Sequence, residues 1–93
     1  MKRELLGPDE LSAAVANLPD WSGEAGVLKR RYEFSNFAEA LAFVNKVGEL
    51  AEISDHHPDI AFGWGYAEIT LTTHDRGGIT DFDVNLAQRI EMI

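Results

Sequence analysis

Apolar positions recur along this chain with two alternating periods. Leu11, Ala14, Val15 and Leu18 fall at helical spacing behind Gly7-Pro8-Asp9, which opens a first short helix, and Pro19 stops it. From Trp21 to Phe34 the spacing becomes that of a β-hairpin turning at Glu24-Ala25-Gly26. Its second arm is mixed, with Leu28, Arg30, Tyr32 and Phe34 on one face and Val27, Lys29, Arg31 and Glu33 on the other. The helical period returns from Phe37 to Ile53, where Asn36 and Glu39 have capping-box spacing and Ser35 is an alternative cap. Phe37, Leu41, Val44 and Ala51 form one stripe of this helix, with Ala40, Phe43, Val47 and Leu50 beside it. A band this wide exceeds what one sheet face needs and predicts a second packing surface. Gly48, in its middle, costs roughly 1 kcal/mol against alanine, which predicts close packing there.

Pro58 disfavours helical geometry at His57, so the helix must end before it. Residues 60–65 and 66–73 then read as strands; in the second, Ala67, Ile69, Leu71 and Thr73 alternate with Glu68, Thr70 and Thr72. Gly77-Gly78 reads as a turn. Thr80 caps a last helix with Val84, Leu86, Ala87 and Ile90 on its apolar face. The order α-β-β-α-β-β-α predicts an α+β fold, a four-stranded antiparallel sheet with helices packed on one face.

Length and charge narrow the partners. The 93 residues suit one domain, 1–93, whose small core makes self-association an expectation. A net charge of −8, with Lys29-Arg30-Arg31 as the one basic cluster, argues against a nucleic-acid surface. Cysteine is absent, which excludes disulfides and thiolate chemistry. Gly7-Pro8-Asp9-Glu10 interrupts the N-terminal stretch before any long apolar run, so neither a signal peptide nor a membrane span is expected, and the expected location is the cytoplasm.

The candidates for chemistry are His56, His57 and His74, all at ends of predicted elements, where a rigid sheet displays functional groups. Singly, each is most simply a surface residue or a helix cap. A metal site is poorly served, since adjacent histidines are poor joint ligands and no His-x-x-x-His pair exists. Adjacent residues of an extended stretch point to opposite sides, so His56 and His57 need a twist at the junction to face one point, and Pro58 supplies part of the local rigidity. Asp83, three residues after Thr80, has the spacing of a helix cap. Glu52, unfavourable near a helix C-terminus, fits a functional or histidine-orienting part.

The spacing of these residues resembles one family. Glu52, three residues, His56-His57-Pro58, five residues, Trp64, nine residues, His74, eight residues and Asp83 is similar to the pattern of the pterin-4a-carbinolamine dehydratases. Ile69 to His74, Gly78-Ile79-Thr80, Trp21 and Tyr32-Glu33-Phe34 extend the likeness over nearly the whole chain. Trp64 stands where tyrosine is frequent, and Gly77 adds a second glycine to the turn.

The resemblance implies dehydration of a 4a-hydroxytetrahydropterin to the quinonoid dihydropterin, with an aromatic amino acid hydroxylase as the source of substrate. Hydroxide must leave C4a while N5 loses its proton. Histidine, with an ordinary pKa of about 6.5, serves as acid or base near neutrality, and no metal or organic cofactor is needed. His56 is the expected principal acid/base, with His57 and His74 completing the set. Asp55, Thr72, Thr73 and Asp75 flank them and are expected to bind the pterin's polar edge. Trp21 either walls the pocket or packs in the core. The resemblance also implies a dimer or tetramer. It leaves a second class open, since some relatives are dimerisation partners of a transcription factor or assembly factors for a carboxylating enzyme.

Overall fold

The computed structural model describes all residues from Met1 to Ile93. Helix α1 (Pro8–Ala16) begins where proline occupies the first turn, and the Glu10 carboxylate accepts from the Gly7 N–H at 3.0 Å. It ends at Ala16, before Leu18, which drops into the core from the following turn. Strands β1 (Ser22–Glu24) and β2 (Val27–Glu33) form the expected hairpin. Ala25 and Gly26 both have positive φ, 54° and 78°, the geometry that matches a two-residue connection to the twist of the strands.

Helix α2 (Phe37–Ser54) is capped by Asn36, whose side chain accepts from the Glu39 N–H at 2.9 Å, while Glu39 reaches back to the Ser35 N–H at 3.0 Å. Strands β3 (Asp59–Gly63) and β4 (Tyr66–Leu71) follow, joined at Trp64-Gly65. Both stop short of their expected ends. Trp64 and Gly65 are the turn, and Thr73 leaves the sheet to bridge Gly78. That bridge encloses an unpredicted 3-10 turn over His74–Arg76, which Gly77 ends in the left-handed region at φ 75°. Helix α3 (Asp81–Ile90) closes the fold behind Thr80.

The sheet is antiparallel throughout, in the order β1-β2-β4-β3, and the helices lie on one face as expected. The core meets on that face: Leu28 of β2, Ala67, Ile69 and Leu71 of β4, Phe43 and Val47 of α2, and Leu86, Ala87 and Ile90 of α3. The opposite face is charged and open, with Lys29 paired to Glu68 at 3.1 Å and Arg31 over the Tyr66 ring.

The mixed pattern of β2 has a physical cause. Arg30 lies on the helix-covered face, where Glu91 beyond α3 neutralises it and the Tyr32 ring stacks 4.1 Å from its guanidinium carbon. In α2 the buried stripe is Ala40, Phe43, Val47 and Ala51, whereas Phe37 and Leu41 face outward. Gly48 also differs from expectation: a Cβ there would meet nothing within 4 Å, so no packing inside the protomer requires it.

Candidate active site

The end of α2 determines where the histidine pair points. Asp55 adopts the left-handed conformation at φ 50°, its N–H donating to Glu52 O at 3.3 Å and the His56 N–H to Ala51 O at 3.2 Å. These two bonds make a Schellman termination, with aspartate where glycine is usual. The reversal supplies the twist the pair needs. His56 turns inward, only 9% exposed, and His57 stays at the rim.

His56 Nε2 lies 2.6 Å from Oδ1 of Asp83, a fully buried carboxylate in the first turn of α3. The other oxygen of Asp83 accepts from the Thr80 N–H at 2.9 Å and from the Thr73 hydroxyl at 2.8 Å. Thr80 Oγ1 lies 2.8 Å from Thr73 Oγ1 and accepts from the Phe82 N–H at 3.2 Å. A single carboxylate therefore caps α3, ties it to the end of β4, and holds an imidazole. Cap and histidine partner are two uses of one side chain, favoured by the positive end of the helix dipole. With its Nε2–H directed at the carboxylate, His56 keeps Nδ1 as the ring atom free to exchange a proton.

His57 Nε2 contacts the Glu52 carboxylate one turn back on α2. His74 stands exposed at the head of the 3-10 turn. The three histidines line one polar cleft of about 250 Å³ together with Asp55, Thr72, Thr73, Asp75 and Arg3. Pro58 fixes the step from His57 into β3. Thr72 donates its hydroxyl to Gly26 O at 2.8 Å, so it stiffens the wall of the cleft, and the Thr73 side chain is committed to Asp83. His56 and His57 each turn Nε2 to a separate carboxylate, and no three His, Asp or Glu side chains converge on one point as metal ligands would.

Two aromatic residues of the pattern lie elsewhere. Trp21 is buried among core side chains, with its indole N–H donating to Glu91 at 3.1 Å, so it packs the core and does not wall the cleft. Trp64 is 73% exposed at the tip of the β3–β4 hairpin. Two other residues at the site were not anticipated: Arg3, and Phe82, whose ring touches His56 at 5.9 Å between centroids. Phe82 directly follows the capped start of α3, which is the sequence signal for its place; Arg3 has none beyond being a cation in an acidic chain.

A second polar cluster surrounds Glu91, which accepts from Trp21, from Arg30 and from the Tyr32 hydroxyl at 2.9 Å. Burial, reinforced by the neighbouring Glu91 carboxylate, holds the Tyr32 phenol well above its ordinary range.

Residues 4–93 match the family model described as pterin 4 alpha carbinolamine dehydratase. A protein of Rubrobacter xylanophilus named "putative pterin-4-alpha-carbinolamine dehydratase" is 48% identical over 89 residues, covering 95% of this chain and 83% of its own. A protein of the same name from Mycolicibacterium smegmatis is 43% identical, covering 96% of this chain and 95% of its own. Among solved structures, one described as a transcriptional coactivator/pterin dehydratase from Brucella melitensis superposes with a TM-score of 0.91 at 26% identity, over 96% of this chain and 97% of that one. Another, a pterin dehydratase-like protein described as a RuBisCO assembly factor in the alpha-carboxysome, gives 0.64 at 27% identity, over 77% of this chain and 83% of that one.

Proposed function

The chain belongs to the pterin-4a-carbinolamine dehydratase family, and on that premise we propose that it removes water from a 4a-hydroxytetrahydropterin by histidine acid/base catalysis. The observation that carries the reading is the convergence of His56, His57 and His74 on one polar cleft, with His56 backed by the buried Asp83.

The reaction needs two proton transfers. One imidazole donates to the C4a oxygen as the C–O bond breaks and water departs; another accepts the N5 proton as the C4a–N5 double bond forms. One gain and one loss leave the site's total protonation unchanged, and the exposed His57 and His74 reset it through solvent. His56 acts through Nδ1, held in orientation by Asp83. Asp55 and Asp75 offer carboxylate acceptors to the amino and N–H groups of the pterin's polar edge. An aromatic amino acid hydroxylase is the expected source of the carbinolamine. No helix is long and apolar enough to cross a membrane.

Positioned proton transfer contributes about 100- to 10,000-fold, so His56→Ala should slow dehydration of chemically generated carbinolamine by at least about tenfold. A folded His56→Ala variant with an unchanged rate would falsify the role of His56. A second reading, a protein-interaction module, draws on the outward Phe37 and Leu41 of α2 and on the two structural relatives described as coactivator and assembly factor. It requires no turnover, so a wild-type protein inactive on carbinolamine would favour it.

A further inference from the structure

The segment ahead of α1 lies as a strap against the α3 end of the cleft. Its Leu6 N–H donates to Ile79 O at 3.0 Å, and a Leu5 methyl sits 2.9 Å from where a Cβ on Gly78 would be. That anchorage carries Arg3 to the cleft, where its guanidinium carbon lies 5.3 Å from the centre of the Phe82 ring and Nη2 pairs with Asp75. Phe82 touches His56 as well, so one ring positions both the guanidinium and the imidazole.

Arg3 is the one Lys or Arg lining this cleft, in a chain of net charge −8. Asp75 engages only Nη2, leaving the N–H groups of Nε and Nη1 free to donate. The carboxylates of the cleft match the donor edge of a pterin, its amino group and ring N–H. Its ring carbonyl, beside the reacting C4a, requires a donor instead. Thr72 and Thr73 have already committed their hydroxyl hydrogens, to Gly26 O and to Asp83.

We infer that Arg3 is a substrate-binding residue, brought into the cleft by the N-terminal strap to grip the pterin's ring carbonyl with its free N–H groups. The inference rests on the dehydratase reading and names a contact within it. The Arg3–Asp75 pair is solvent-exposed on both sides and adds little to stability, so a ligand can rearrange it cheaply.

The test combines steady-state dehydration with direct binding of a stable 7,8-dihydropterin. Losing one charge-assisted hydrogen bond corresponds to about tenfold in affinity. Arg3→Ala should therefore raise both KM and the dihydropterin Kd about tenfold while kcat stays within about twofold. Arg3→Lys, which keeps the charge but loses the fork, should fall between, and Lys2→Ala should match wild type. A folded Arg3→Ala protein with unchanged KM and Kd overturns the inference. So does an equal loss in Arg3→Ala and Arg3→Lys accompanied by a lowered melting temperature, which would make Arg3 only a strap anchor. Should wild type bind dihydropterin without dehydrating carbinolamine, the dehydratase reading fails, while the Kd comparison still decides on Arg3.

Discussion

At the scale of single residues, Asp83 is where fold and chemistry are hardest to separate. Its spacing after Thr80 made the cap legible in sequence, but the contact with His56, 27 positions earlier, exists only once α2 and α3 are packed. Asp83→Ala removes the reciprocal half of the capping box and strands three buried donors, and should cost about 2–4 kcal/mol of stability by denaturant titration. Asp83→Asn is the informative variant. Its amide oxygen still caps α3, yet its NH2 cannot accept from His56 Nε2–H, so the ring must adopt the other tautomer. We expect a folded protein with dehydration reduced at least about tenfold. Full activity in Asp83→Asn would mean that the carboxylate does not orient the imidazole.

Tyr32 gives a second test at this scale, in alkali. Its phenol is held above the ordinary value of about 10, because burial and Glu91 both disfavour the phenolate. The folded state thus retains a proton that the unfolded state releases. The stability from this site is fully present below pH 10 and is lost as pH rises through the higher folded value. In a Tyr66→Phe background, tyrosinate absorbance should stay absent well above pH 10 until the protein unfolds. Ionisation near pH 10 in the folded protein would contradict the Tyr32–Glu91 hydrogen bond.

At the scale of elements, both hairpins, the two longer helices and the order of all seven elements follow from periodicity, because their apolar stripes face one sheet. What escaped is what periodicity does not encode. The 3-10 turn carrying His74 has three residues and no apolar face; it exists because Thr73 bridges Gly78. Arg30 on a core-facing position makes the face pattern of β2 mixed, since its partner Glu91 is 61 residues away. The clustering of the three histidines came from resemblance; the spacing alone does not reveal that α2 ends in a left-handed residue. Asp55 marks that junction. A non-glycine there costs about 1 kcal/mol, so Asp55→Gly should raise the denaturation midpoint by a corresponding amount. Because Asp55 also lines the cleft, the same variant should bind a dihydropterin more weakly. A gain in stability with unchanged binding would reduce Asp55 to a turn residue.

At the scale of the whole molecule, the question is what covers the outer side of α2. A wide apolar band predicted a second packing surface, but Phe43, Val47 and part of Leu50 are used inside the protomer. The surplus is Leu41, Ile53 and the part of Phe37 not packed on Phe62, 38%, 74% and 46% exposed, together with Gly48, where an added Cβ would meet only open space. The sheet adds two unpaired edges, β1 and β3. We predict a homo-oligomer in which α2 packs on α2 of a second copy around Gly48, a contact in which a two-fold axis would pair identical patches. Light scattering coupled to size exclusion at micromolar concentration should return a multiple of 10.3 kDa; a mass of one chain would defeat the idea. Gly48→Leu then separates interface from surface. In an isolated protomer the added Cβ meets nothing within 4 Å and the substitution gains about 1 kcal/mol of helix propensity, so the variant should be at least as stable as wild type. In an assembly built on α2 it fills the space that a partner helix occupies, and the mass should fall to a smaller species with the fold intact. An unchanged mass in a stabilised Gly48→Leu protein would move the interface from α2 to the sheet edges.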